Sequence, residues 1–294
     1  MYEPIIYLGL VLFGLVLGSF AGATVWRLRA KQLAFDKDND EPYNKAEYKH
    51  LKKLLHKKGR HDRSQCLHCG YTLRWYDLIP LVSWLALRGK CRACHTSIGR
   101  FEPIIEVSVA AFFVLSYVWW PFELTGSLAI VHFLLWLIAG VIMAVLFVYD
   151  VKWFILPDRY TLALALVGIG MVVVGATQSQ LWGEAILNAV GAVAILGGLY
   201  GVLYFISGGR WVGFGDVKLG VGLGLLLGDW QLAAVALFLA NFIGCLIVIP
   251  ALITKKMNRT SRVPFGPLLI SGTVIAFLWG TPLLQWYLGS MGIV

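Results

Sequence analysis

Along the chain, long stretches of unbroken apolar residues alternate with short polar joints. Runs of about 18 or more apolar residues predict membrane-crossing helices, because in hydrocarbon the backbone must satisfy its own hydrogen bonds. Eight runs stand out, near residues 4–26, 103–120, 127–149, 159–177, 183–206, 215–229, 231–253 and 266–289. The sixth is short and glycine-rich, which leaves its status as a full span open. The expected fold is an all-α polytopic membrane protein of about eight transmembrane helices. The first run has no basic stretch before it and no small-residue cleavage site after a short apolar core, so it reads as a retained span and not as a signal peptide. One large polar interval divides the chain into a first transmembrane helix (1–26), an insert (27–102) and a transmembrane domain (103–294).

Composition agrees with lipid as the solvent. Hydrophobic residues make up 59% and charged residues 14%, with mean hydropathy +0.74, whereas soluble domains carry about 25% charged residues. The charges also orient the chain. Seventeen of the 25 Lys and Arg residues lie between Arg27 and Arg100, and the rest are Lys152, Arg159, Arg210, Lys218, Lys255, Lys256, Arg259 and Arg262. With eight spans and the N-terminus outside, all of them fall at or near cytosolic ends. The opposite loops, around Pro121 to Gly126, Thr177 to Gly183 and Asp229, have none. That partition is the positive-inside pattern. It also accounts for the net charge of +9 without nucleic acid, the usual partner of a basic soluble protein.

The insert has two unlike parts. Lys31 to Gln65 holds the acid-rich run Asp36 to Glu41 and the lysine-rich run Lys45 to Lys58, which reads as a solvated loop followed by an exposed helix. The second part holds four of the five cysteines, as Cys66-Leu67-His68-Cys69 and Cys91-Arg92-Ala93-Cys94. Two C-x2-C turns separated by 21 residues match the spacing of a zinc ribbon, each turn offering two thiolates to one tetrahedral shell. Cys66, Cys69, Cys91 and Cys94 are therefore candidate ligands of a structural zinc, with an iron–sulfur centre or a redox dithiol as the other fits. A reducing cytosol argues against two disulfides. His68 and His95 read as exposed bystanders, and Cys245, inside an apolar span, as a small core residue.

Ionisable residues at the membrane face are costly, so each is a candidate functional group. Asp150 ends the third run, Asp158 follows Pro157 at the start of the fourth, and Asp216 sits in Gly213-Phe214-Gly215-Asp216-Val217-Lys218. Asp158 reads as a helix cap. Asp216 fits a cap or a catalytic carboxylate equally. Asp150 differs, because a carboxylate at a helix C-terminus opposes the macrodipole and needs another reason to be there. Both Asp150 and Asp216 lie near the cytosolic boundary, where they can meet. Two such carboxylates can share a proton, one activating water while the other polarises a scissile carbonyl. Gly213 and Gly215 would let a substrate backbone approach.

Taken together these residues resemble the bacterial type IV prepilin peptidase family, the bifunctional leader peptidases and N-methyltransferases of pilus and type II secretion systems. The resemblance spans nearly the whole chain, in five blocks. These are Gly18-Ser19-Phe20 with Val25-Trp26-Arg27-Leu28; Cys66 to Glu106, including Arg74-Trp75-Tyr76-Asp77-Leu78-Ile79-Pro80 and Pro103; Asp150 to Asp158; Gly213 to Leu219; and Val263-Pro264-Phe265-Gly266-Pro267.

The resemblance implies that Asp150 and Asp216 are the catalytic pair, with Gly213, Gly215, Asp158 and Lys218 as the supporting region. It implies prepilin or pseudopilin substrates, cleaved on the cytosolic side of the bacterial inner membrane after a glycine. Methyl transfer from S-adenosylmethionine to the new amino group would follow. No strand followed by G-x-G-x-x-G marks a nucleotide fold, which leaves Glu102 and Glu106, beside the cysteine module, as candidate amine-binding carboxylates; they fit equally as anchors of a span start. Three other readings are weaker. A secondary transporter would show inverted repeats and midplane carboxylates, a scaffold would not need the aspartates, and presenilin-type proteases lack the cysteine insert.

Overall fold

The computed structural model describes residues 3–55, 64–255 and 263–292. Lys57 and Lys58 of the lysine-rich run, and Arg60, Arg63, Lys256, Arg259 and Arg262 of the orienting charges, lie outside the described residues. Regular structure among the described residues is helical, apart from two isolated antiparallel bridges, Gln65 with Thr72 and Lys90 with Ser97. The chain divides into two compact units, Met1–Leu115 and Ser116–Val294.

The first unit contains α1 (Glu3–Asp38), α2 (Lys45–Leu51), α3 (Val82–Ala86) and most of α4 (Phe101–Val118). The second contains α5 (Ser127–Trp153), α6 (Asp158–Ser179), α7 (Trp182–Val193), a π-helical turn (Ala194–Gly198), α8 (Leu199–Ser207), α9 (Phe214–Leu227), α10 (Trp230–Ile253) and α11 (Gly266–Ser290). Seven of the described helices are long and apolar enough to cross a membrane, α7, the π turn and α8 counting as one continuous rod. The run at 215–229 forms α9, whose 14 residues reach only about 21 Å against a hydrocarbon core of about 30 Å.

In the first unit, α1 and α4 approach closely through glycine. A Cβ added at Gly14 would sit 2.5 Å from the Cα of Ala110, and one at Gly18 would sit 2.6 Å from the Cα of Glu106. Small residues one turn apart are how membrane helices gain backbone-to-backbone packing where lipid offers no hydrophobic drive.

The expected loop after the first span is corrected here. The helix does not stop near Arg27 but runs on to Asp38. Ala30 and Leu33 are buried with Leu51 of α2, and Trp26, Tyr43, Tyr48 and Leu54 close around them. Arg29 pairs with Glu47 at 2.7 Å, and Gln32 donates to the buried Asp36 at 2.7 Å. The charged stretch thus has a small core of its own, and α2 presents one face to it.

In the second unit α9 is enclosed by its neighbours despite being short. A Cβ at Gly220 would meet the carbonyl oxygen of Leu196 in the π turn, and one at Gly224 would lie 2.9 Å from the backbone of Ala192 in α7. Elsewhere Trp136 stacks on Phe277 at 3.8 Å and donates to Ser116 at 2.8 Å, so the buried indole N–H of α5 is satisfied. The outcome is a glycine-lined helix held with its N-terminus, and therefore Asp216, in a set place.

Gly220→Ala is expected to cost about 1–3 kcal/mol through overpacking. Gly175→Ala, with nothing within 4 Å of the added methyl, should be neutral or gain up to about 1 kcal/mol of helix propensity. Thermal unfolding of both variants in detergent checks the contrast in sign.

Candidate active site

Asp150 is the last but three residue of α5 and is buried. Its unfavourable place at a helix C-terminus is answered from another helix: Oδ2 accepts the backbone N–H of Gly266 at 3.0 Å. Gly266 opens α11 and is followed by Pro267, so the carboxylate lies at a helix N-terminus, where free N–H groups and the dipole favour negative charge. Gly266 is also required sterically, since a Cβ there would sit 2.7 Å from Asp150 Oδ2.

Asp216 lies in the first turn of α9, half-buried, and its Oδ2 accepts the N–H of Gly213 at 3.2 Å. It therefore serves its own helix end and still interacts electrostatically with Asp150. The buried Tyr200 of α8 also feels the charge of Asp216, and its ring packs on Phe265 at 5.1 Å, next to Gly266. The C-terminus of α5 and the N-termini of α9 and α11 so meet around two carboxylates.

The supporting residues divide. Asp158 is not the cap expected from sequence: Pro157 holds the cap position with no side-chain bond, and the Asp158 carboxylate is instead 2.7 Å from Lys218 Nζ. That exposed pair ties the starts of α6 and α9 together and is worth at most about 1 kcal/mol. Gly215 faces Leu156, whose Cβ would be 3.2 Å from an added methyl, so it admits a neighbouring side chain; Gly213 is exposed with ordinary space around it. Sequence reasoning missed the amide of Gly266 and the Tyr200 ring. The Gly-Pro start of the last span marked the former only as a turn, and an aromatic in an apolar run gave no sign of the latter.

The first unit holds a second constellation. The thiol sulfurs of Cys66 and Cys94 are 4.0 Å apart and those of Cys69 and Cys91 3.9 Å, and all four lie within 4.8 Å of one another. A tetrahedral shell with bonds of about 2.3 Å needs sulfurs about 3.8 Å apart, so these residues fit a metal ion. The two turns are built alike. Cys66 N–H donates to Tyr71 and Gly70 N–H to Cys66; Cys91 N–H donates to Thr96 and His95 N–H to Cys91. Gly70 and His95 take the equivalent left-handed position, with φ of 76° and 55°, which gives His95 a place in the turn and none in the cluster. Hydrogen bonds from the Thr96 side chain and backbone lower the Cys94 thiol pKa to about 6.

Beside this cluster is a cavity of about 750 Å³, lined by Trp26, Asp77, Trp84, Glu102 and Glu106 among others. Glu102 accepts from the Trp26 indole at 3.3 Å. The buried Glu106 accepts the N–H of Leu81 at 2.7 Å. Asp77 pairs with Arg92 at 2.7 Å, and Arg92 lies 4.9 Å over the Tyr76 ring.

Comparison with known proteins covers both regions of the chain. A family model described as "Bacterial Peptidase A24 N-terminal domain" matches residues 12–120, and one described as "Type IV leader peptidase family" matches residues 137–249. The prepilin leader peptidase/N-methyltransferase of Aeromonas hydrophila is 31% identical over 97% of this chain and 95% of its own length. The chain belongs to the type IV leader peptidase family. The Pseudomonas aeruginosa prepilin leader peptidase/N-methyltransferase is 30% identical over 96% of this chain and 93% of its own length. A type 4 prepilin-like proteins leader peptide-processing enzyme of Escherichia coli O78:H11 is 33% identical over 89% of each chain. No solved structure matches the chain significantly. As a type IV leader peptidase family member, the chain carries both aspartates within the second matched region and all four clustered cysteines within the first.

Cys91→Ser is expected to lower the metal content of the purified protein to a small fraction of wild type, read by elemental mass spectrometry. His95→Asn, which keeps a residue tolerant of positive φ, should leave the metal content unchanged.

Proposed function

We propose that the chain is a membrane-embedded aspartic endopeptidase that removes the leader of type IV prepilins or pseudopilins on the cytosolic side, after a glycine. The same chain then N-methylates the new terminal residue with S-adenosylmethionine. What supports the peptidase reading is that Asp150 accepts the N–H of Gly266 at the start of α11 and Asp216 that of Gly213 at the start of α9, in a chain of this family.

On this reading the two carboxylates work as a pair that shares one proton, because neighbouring carboxylates cannot both ionise comfortably. The ionised one takes a proton from water as the oxygen attacks the scissile carbonyl; the protonated one donates to the carbonyl oxygen. On collapse of the tetrahedral adduct the first carboxyl gives the proton it took from water to the leaving nitrogen, the second carboxylate takes back the hydroxyl proton, and the amine departs with the C–N bond broken. The Gly266 N–H holds Asp150 in one orientation throughout, and the Asp158–Lys218 pair steadies the base of α9. The Lys and Arg partition supports an inner-membrane protein with a cytosolic insert and periplasmic termini.

The donor set of the four thiolates favours zinc as a structural ion closing the module. The adjoining cavity suits the methyl donor: S-adenosylmethionine would supply an electrophilic methyl on a sulfonium, and carboxylates with aromatic walls attract such a cation. Glu102 and Glu106 face that cavity from the first turns of α4. We assign Glu102 to orient the new terminal amine and take its proton. Glu106 shapes the wall by holding Leu81.

Asp150→Asn and Asp216→Asn should each lower leader cleavage by about 10²–10⁴-fold or more while the protein remains in the membrane, read by mass spectrometry of a prepilin in detergent. Retained cleavage in either variant overturns the pair. Glu102→Gln should lower methylation of a pre-cleaved pilin while sparing leader removal and metal content. Equal loss of both activities would refute its assignment.

A further inference from the structure

Outside the spans, one segment of the first unit exposes apolar side chains in a pattern that water alone does not explain. From Trp75 to Leu85, Trp75 is 77% exposed, Val82 and Leu85 are each 58% exposed, and Leu78 and Ile79 are exposed beside them. The positions recur every three or four residues through a 3₁₀ turn (Trp75–Leu78) and α3. Basic residues flank the stripe: Arg74, Arg88, Lys90 and Arg92 are exposed. Between Arg74 and Arg92 the one acidic residue is Asp77, and it is bound to Arg92.

The depth of this stripe is set by a buried contact. Where α1 leaves its apolar run, Trp26 meets Phe101 and Glu102 at the start of α4, so that level marks the edge of the two spans. Glu106 lies one turn further into α4, level with Gly18, and there it takes the N–H of Leu81. Leu81 adopts φ 58° and ψ −47°, a conformation a leucine rarely accepts. The carboxylate that needs a donor below the edge of the spans thus draws the middle of the apolar stripe down to it.

We infer that the Trp75–Leu85 face docks into the lipid–water interface of an anionic bilayer, making the cysteine module a surface-anchored body. The chemistry fits one occupant. An exposed Trp with aliphatic neighbours suits the interfacial layer, and a cationic rim suits anionic headgroups. A protein helix lying on the same stripe would gain nothing from four exposed cations unless it were itself acidic. Anchoring of this kind keeps the cavity beside α4 at the membrane surface.

The test uses the full chain in nanodiscs of phosphatidylethanolamine and phosphatidylglycerol, with the photoreactive residue p-benzoylphenylalanine at Trp75 or Val82. Phe13, in the middle of α1, serves as a lipid-facing reference, and Lys49, on α2, as a water-facing one. Lipid adducts at 75 and 82, as at 13 and unlike 49, with lower yield when phosphatidylcholine replaces phosphatidylglycerol, are expected. Adducts at 75 and 82 as scarce as at 49, or made to protein instead of lipid, would overturn the inference. As a second arm, a Trp75→Glu, Val82→Glu double variant with unchanged metal content should show amide exchange across 75–86 faster by at least about tenfold. Unchanged exchange counts equally against it. Neither arm reads cleavage or methylation, so failure here is distinguishable from failure of the catalytic assignments.

Discussion

A carboxylate at the C-terminal end of an apolar helix has the dipole against it and little water to solvate it, so it stays only where another element supplies a donor. The Gly266 N–H is that donor for Asp150. The arrangement fixes more than one side chain. It sets the start of α11 against the end of α5, forbids a Cβ at the contact, and brings Phe265 onto Tyr200 and so toward Asp216. Asp150 and Asp216 are each held by a helix-terminal N–H, and the backbones of those termini are themselves locked by packing.

That locking is done largely by the absence of side chains. Where helices carry glycine, their backbones come within direct contact, as α9 does with the π turn and α7 and as α1 does with α4. In lipid such contacts replace the hydrophobic drive that packs soluble helices. A short helix with glycine on its buried side can be enclosed by longer neighbours, as α9 is.

The first unit applies a different economy of parts. Beside the packed pair α1 and α4, the charged segment has a small core of Ala30, Leu33 and Leu51, and the four thiolates supply a second organising centre. Glu106 connects the module to α4 by a buried hydrogen bond from the Leu81 N–H. The order of the two units thus has partly separate origins: glycine packing in both, with metal-ready thiolates added in the first.

Much of this was legible in the residues. Apolar runs and two C-x2-C turns each encode a local property, and these are met by seven long apolar helices among the described residues and by the sulfur cluster. That Asp150 needed a reason to exist was also visible, since helix polarity is known once the helix is. What the reason was required tertiary structure, because Gly266 is 116 residues away and contributes only a backbone N–H, which every residue but proline possesses. The same holds for Asp158, whose cap-like position says nothing of Lys218 sixty residues on, and for α1, which continues past its apolar run because Leu51 covers Leu33. Sequence by itself determined the solvent, the element type and the chemistry available; only the folded chain decided which partner each polar group found, since partner choice depends on which distant backbones can come into contact.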